Sequence, residues 1–372
     1  MKSFKCFISL LCFLPFALVQ AQTVDEVVRQ YQTALVDLET LHCQVAQLDT
    51  FVGGTVWQHA GELTMMRNTA DSLFGFRFKA SKDVGDEALY DGLSEFQINH
   101  VKQTYELNAN PQYYITGSPG GQLVVPELMN YQDPEVSPEL IVEETVYVLL
   151  YTYPDIEEYD VRKREKKLYL DKSSFLPVKV IRRQESLGKK QVLTRTITAL
   201  QINREEDQGA FQKDFLSSYK MVTEDLEEDI HLDLLNTQVE DFRLTAFTGG
   251  ELSTRPTGTK LLLLDFWEVW CGPCVQSLPK VQALADKYGK EGLAVIGVLM
   301  DPKSQDSAER LLDLKGISFP QALGDKKLRE YFRIFAIPQY VLIDQDGLIQ
   351  QVFQGYDKEM EKVIGKLLAM EK

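Results

Sequence analysis

The spacing of apolar positions changes character along the 372-residue chain. Phe7 to Val19 is a nearly unbroken apolar run behind Lys2 and Lys5. Val24, Val27, Val28, Tyr31, Leu35, Leu38 and Leu41 then recur at helical spacing, which predicts one amphipathic helix. A period of two follows, with Phe74, Phe76 and Phe78 alternating with Gly75, Arg77 and Lys79. Phe96 to Asn99, Val146 to Tyr151, Lys167 to Leu170 and Val192 to Ile202 also read as strands. Asp91-Gly92, Ser118 to Gly121, Asp171 to Ser174 and Leu187-Gly188 punctuate them as turns. Strands in succession without intervening helices predict an antiparallel sheet with a helix packed on it, an α+β unit.

The later pattern alternates strand and helix. Leu261 to Trp267 is a solid apolar run of strand length, and Leu278, Val281, Leu284, Ala285 and Tyr288 follow at helical spacing. Leu293 to Met300 reads as a second buried strand, with a helix over Ser307 to Leu314 after it. Val341 to Asp344 with the turn Asp346-Gly347 is a further strand, and a last helix runs from Lys358 to about Met370. The expectation is an α/β unit behind the α+β one.

Length suits two domains. Residues 1–21 read as a secretory signal, with Val19-Gln-Ala21 as the cleavage site. Cys12 keeps a lipid anchor open as another reading, although Leu11 stands where a small residue is wanted; an uncleaved anchor is the third. Residues 22–230 form the β-rich domain and 231–372 the second, with the acidic run Glu224 to Asp229 as the linker between them. A net charge of −15 argues against nucleic acid as a partner. Once the signal leaves, only Cys43, Cys271 and Cys274 remain, too few for a disulfide scaffold.

Those last two cysteines carry the chemistry. Strand 261–267 delivers Cys271-Gly272-Pro273-Cys274 to the start of the next helix, where unpaired N–H groups and the helix dipole favour a thiolate. A thiolate is the nucleophile of disulfide exchange, and a second sulfur one turn away can close the ring. A zinc site needs about four ligands; no second Cys pair exists, and His42, His59, His100 and His231 are scattered upstream. No metal and no cofactor is expected.

Asp265-Phe-Trp-x-x-Trp-Cys-Gly-Pro-Cys274, with Pro279 five residues on, resembles the active-site signature of the thioredoxins, and residues 237 to 372 look closest to the extracytoplasmic TlpA-type branch. The resemblance implies a thioredoxin fold in which Cys271 attacks a substrate disulfide and Cys274 resolves the mixed disulfide, leaving a Cys271–Cys274 disulfide. It implies that Asp265 is a buried carboxylate relaying the proton. Trp270, Gly272, Pro273, Ile337 and a cis Pro338 would frame the substrate groove. Disulfide-bearing envelope proteins and a membrane electron donor are the implied partners, and the periplasm the implied location. Three departures stand out: Gly297 where thioredoxin places a lysine near the aspartate, Ser277 where many TlpA-type reductases carry Glu, and Glu268 at a usually small position.

The first domain resembles the LolA-like lipoprotein carriers, a half-barrel wrapped around a helix, through Ala88-Leu-Tyr-Asp-Gly92, Leu168 to Asp171 and Phe175-Leu-Pro-Val178. That resemblance implies a face for a lipid or other apolar ligand; the same aromatics filling a plain core is the competing reading. Arg162 to Lys167 reads as a solvated strand edge or turn, with a membrane-surface or protein-docking patch as the other reading, and Cys43 as a buried small hydrophobe at the end of the first helix, with a third redox thiol as the other. Gly117 to Pro138 reads as a long loop. Two rival functions remain: a lipid or lipoprotein carrier with a redox-docking domain, and a thiol peroxidase, against which Glu268 stands where peroxiredoxins place their nucleophile's Thr partner.

Overall fold

The computed structural model describes residues 22–109, 111, 128, 136–204, 208–222, 231–255 and 258–370. The expected signal at 1–21 and the acidic run at 224–229 lie outside them, as does most of the loop at 117–138.

The N-terminal part begins with α1 (Val24–Val36), whose Thr23 cap accepts the Glu26 N–H. Twelve strands then form one open sheet: β1 (Thr40–Thr50), β2 (Val56–Arg67), β3 (Phe76–Lys82), β4 (Asp86–Tyr90), β5 (Glu95–Asn99), β6 (Thr104–Asn108), β7 (Glu139–Val142), β8 (Val146–Tyr153), β9 (Val161–Asp171), β10 (Pro177–Ser186), β11 (Lys189–Ile202) and β12 (Lys220–Val222). Their spatial order is β12-β6-β5-β4-β3-β2-β1-β11-β10-β9-β8-β7. Every pairing is antiparallel except that of β12 with β6. Val27 and Tyr31 of α1 pack on one face of this sheet, among Leu41, Cys43, Leu63, Phe78, Leu149, Leu168 and Val180.

Two sequence expectations are corrected here. The helix stops at Val36, so Leu41 and Cys43 belong to β1 and point inward by strand alternation rather than from a helix end. Arg162 to Lys167 lies within β9, which is paired on both sides, and is neither an edge nor a turn.

The C-terminal part opens with a small hairpin, β13 (Arg243–Thr245) and β14 (Glu251–Ser253). It continues with β15 (Leu261–Trp267), α2 (Gly272–Tyr288), β16 (Leu293–Leu299), α3 (Gln305–Lys315), β17 (Gln321–Leu323), α4 (Lys326–Tyr331), β18 (Gln339–Asp344), β19 (Ile349–Gln354) and α5 (Lys358–Met370). The sheet runs β17-β16-β15-β18-β19, the first three strands parallel and the last two antiparallel to their neighbours. β15 is central, and all seven of its residues are buried. Leu261, Leu263 and Trp267 face the core formed with α2, α3 and α5; Leu262, Leu264 and Phe266 face the core under α4. A strand covered on both faces has to read as a continuous apolar run.

The two parts touch through turns. Leu187 and Gly188 both take positive φ in the two-residue turn between β10 and β11, a tight hairpin geometry. The Leu187 side chain is thereby thrust into the C-terminal core, against which Tyr159 also packs. Leu187 N–H donates to the Asp160 carbonyl, tying the two turns together. The Asp160 carboxylate pairs with Arg162 at 2.8 Å and with Arg310 of α3 at 2.5 Å. These two guanidinium groups hold it below the usual carboxylate range. Lys315 reaches Glu158 at 3.0 Å and lies 4.6 Å over the Tyr159 ring. Gly53, in the turn between β1 and β2, sits so close to Ser304 that a Cβ there would lie 2.7 Å from its Oγ.

Candidate active site

The disulfide sits where the buried strand hands over to a helix. Cys271 is the N-cap of α2 and Cys274 lies in its first turn; the two are disulfide-bonded. Cys274 N–H donates to Cys271 Sγ at 3.2 Å, so that sulfur occupies the position that an anion takes at a helix start. Cys274 is fully buried and Cys271 nearly so. Gly272 and Pro273 are exposed beside them, and Pro279 lies within the helix.

The opposing wall comes from the segment before β18. The Ile337-Pro338 peptide is cis, and Cys271 Sγ lies 3.5 Å from the Ile337 carbonyl oxygen. Trp270, next to Cys271 in the chain, is 63% exposed, and Phe335, two residues before Ile337, is 67% exposed. Phe335 has no counterpart in the sequence reading, because a lone aromatic before Ile337 carries no periodic signal.

Strand alternation puts Asp265 on the same face of β15 as Leu263 and Trp267, the face that α2 covers. It is 1% exposed, and neither carboxylate oxygen has a hydrogen-bond partner. Burial alone pushes its pKa up to about 8, so near neutrality it holds a proton. Directly opposite it on β18 stands Tyr340, whose hydroxyl donates to Ser277 Oγ at 2.7 Å. Ser277 Oγ in turn donates to the Cys274 carbonyl at 2.8 Å. This hydroxyl chain behind Cys274 depends on cross-strand register, which sequence patterning leaves open.

On its other side Asp265 stands in register with Gly297 of β16. A Cβ at Gly297 would lie 2.1 Å from Gln321 Oε1. The Gln321 side chain therefore occupies the space a larger residue at 297 would take, and its Oε1 accepts from the Trp267 indole at 3.0 Å. A glycine here is a packing requirement.

Glu268 is the second buried acid, 2% exposed, with Oε2 unpartnered. Desolvation first, and then the charge of Asp301, push its pKa up to about 7, against the backbone N–H of Asp301 and the charge of Arg329. Two protonatable carboxyls thus lie at the end of one strand, just before a dithiol. Such an arrangement can hold and release protons around neutral pH while sulfur–sulfur bonds are exchanged. Among the described residues no cluster of His, Cys, Asp and Glu could hold a metal ion.

A model of the Redoxin family matches residues 235–368. The thioredoxin-like protein YneN of Bacillus subtilis is 30% identical over 129 residues, 34% of this chain and 75% of that protein. The thiol-disulfide oxidoreductase ResA of Geobacillus kaustophilus is 31% identical over 118 residues, 31% of this chain and 66% of that protein. Among solved structures, the thioredoxin domain of a thiol-disulfide oxidoreductase from Bacteroides vulgatus is 19% identical, with 36% of this chain and 97% of that one covered and a TM-score of 0.34.

Proposed function

The chain belongs to the thioredoxin-like thiol–disulfide oxidoreductases through residues 235–368, and from that premise we propose that it reduces disulfides of exported proteins through Cys271 and Cys274. The observation that carries this reading is the Cys271 sulfur capping α2, 3.2 Å from the Cys274 N–H.

In the reduced enzyme the Cys271 thiolate attacks one sulfur of a substrate disulfide. The substrate bond breaks, a mixed disulfide forms and one substrate thiolate leaves. The fraction of Asp265 that is ionised at the working pH takes the proton of Cys274, and the neutral carboxyl then passes it on to solvent. The Cys274 thiolate attacks Cys271 Sγ, the second substrate thiolate leaves, and two electrons have passed to the substrate. The enzyme ends as the Cys271–Cys274 disulfide, and a membrane electron donor restores the dithiol. Trp270, Gly272, Pro273, Ile337 and Pro338 frame the segment that carries the scissile disulfide, which pairs with the Ile337 backbone as an added strand. No helix among the described residues is long and apolar enough to cross a membrane. Residues 1–21 are read as the export signal, 22–230 as a LolA-like domain that engages a partner or an apolar ligand, 231–372 as the redox domain, and the periplasm as the site of action.

The test is reduction of insulin by the full chain with dithiothreitol as donor. Cys271→Ser abolishes turnover, whereas Cys274→Ser accumulates a mixed disulfide seen as a band shift on a non-reducing gel. An adduct trapped by Cys271→Ser and not by Cys274→Ser would reverse the assignment, and wild-type turnover no faster than dithiothreitol alone would reject the reading.

A further inference from the structure

One contact between the two parts falls beside the redox site. Trp267 stands in register with Leu299, and the Met300 N–H donates to the Trp267 carbonyl at 3.2 Å. Glu268 and Asp301 therefore leave the ends of two adjacent parallel strands together. The Asp301 N–H donates to the Glu268 carboxylate, and the Glu268 carbonyl accepts the Cys271 N–H at 3.2 Å. One residue thus separates Asp301 from the attacking sulfur's own backbone.

From the other side Asp301 carries the β1–β2 turn. A Cβ at Gly53 would lie 3.0 Å from Asp301 Oδ2 and 2.7 Å from Ser304 Oγ. Ser304 is fully buried, and its hydroxyl donates to the same Asp301 oxygen at 3.5 Å. The Lys303 N–H donates to Oδ1 at 3.1 Å. The Asp301 carboxylate is held by its own loop against a turn, Phe51 to Thr55, that carries no charge.

Trp267 and Val269 pack into the core under α2, so Glu268 between them turns to the other face of the sheet, away from Asp265. The charged groups that act on it there are Asp301 and Arg329 of α4. Arg329 donates to the Ile334 carbonyl at 3.2 Å, three residues before Ile337, whose carbonyl lies 3.5 Å from Cys271 Sγ. Glu268 Oε2 is buried with no partner. Burial of an unpaired carboxylate is costly, and a second negative charge beside it adds to the cost, so the form that holds a proton is favoured.

We propose that Asp301 is a positioning residue for the redox reaction: it acts on Cys271 through Glu268, and the β1–β2 turn seated on it is the route by which the N-terminal sheet adjusts the nucleophile. The proposal rests on the reading of Cys271 as the attacking thiol. With the turn in place, Asp301 is shielded from water, Glu268 keeps its proton to higher pH, and no negative charge from Glu268 opposes the Cys271 thiolate. When the turn lifts, water screens Asp301, Glu268 ionises at lower pH and the thiolate is harder to form.

The experiment is iodoacetamide alkylation of the reduced full chain from about pH 5 to 10, the span of the thiol and carboxyl ionisations, with Cys271 labelling read by mass spectrometry. The wild-type profile is expected to carry, besides the thiol's own inflection, a second one near pH 7 from Glu268. Asp301→Asn moves that second inflection to lower pH, by about threefold or more in ionisation constant. Gly53→Leu, whose side chain cannot enter without lifting the turn, moves it the same way. In a Glu268→Gln background the second inflection is absent, and Asp301→Asn leaves the profile in place. A shift of equal size in both backgrounds means that Asp301 acts directly and overturns the proposal. So does a uniform loss of rate at every pH, or a wild-type profile without the second inflection. Should Asp301→Asn fail to fold, Gly53→Leu in the two backgrounds carries the same comparison. A wild-type Cys271 that reacts no faster at neutral pH than an ordinary free cysteine removes the underlying reading, and the proposal with it, before any variant is compared.

Discussion

Replacing Asp265 by Asn tests the electrostatics of the site through stability alone. In the unfolded chain its carboxyl ionises at the ordinary value near 3.8; in the folded oxidised protein burial delays this to about 8. Below pH 4 both states hold the proton and the residue contributes no pH dependence. Between those values the unfolded state has lost the proton and the folded state keeps it, so wild-type stability falls as pH rises. The slope is about 1.4 kcal/mol per pH unit, and the accumulated cost above pH 8 is about 6 kcal/mol. Asn cannot titrate, so its stability relative to wild type climbs from pH 4 to 8 and then levels. The buried amide adds a pH-independent penalty of about 1–3 kcal/mol, which shifts the difference curve without bending it. Urea unfolding of the oxidised pair, followed through the fluorescence of the buried Trp267 at each pH, gives that curve. A difference that stays flat, or that changes only below pH 5, refutes the claim that Asp265 is protonated in the folded protein at neutrality.

Two further expectations follow from neighbouring features. Glu268→Gln removes the ionisation near pH 7 that sets a second negative charge close to the thiols; the Cys271 thiol of the reduced enzyme then ionises at lower pH, and coincident iodoacetamide reactivity profiles for the two proteins would count against it. Leu187→Asp withdraws the one apolar side chain that the β10–β11 turn plugs into the C-terminal core, a loss of about 2–3 kcal/mol of contact between the two parts. Small-angle scattering is expected to show a larger radius of gyration with insulin reduction unchanged, and an unaltered scattering curve would show that the turn does not hold the parts together.

The redox unit was legible because its constraints are local. Seven consecutive buried residues in β15 leave no periodicity to misread, and a cysteine pair directly after a strand and before a helical pattern has one place to go. The N-terminal part is harder for a physical reason. Leu38 and Leu41 satisfy helical spacing with α1, while Leu41, Cys43 and Val45 satisfy strand alternation, so the pattern does not mark where Asp37 closes the helix. The run Arg162 to Lys167 looks solvated because charge usually is; only the pairing of β9 on both sides sends Lys166 inward. Glu268 stands out in the sequence as an acid at a usually small position, but its burial beside Asp301 is set by the fold and not by local pattern. The Leu187-Gly188 turn was readable as a turn, but not as a plug, because the core that it enters is built from residues 261 onward, far along the chain.

That plug has a geometric consequence. Three turns of the long sheet meet the C-terminal part, at Gly53, at Glu158 to Asp160 and at Leu187. A single tether would let one body pivot about it, and two would leave a hinge. The Leu187 and Asp160 turns are hydrogen-bonded to each other and act as one contact, with the Gly53 turn as the second. Contacts at two places leave a single axis about which the long sheet and the C-terminal part turn relative to one another, so a change at either place is felt at the other.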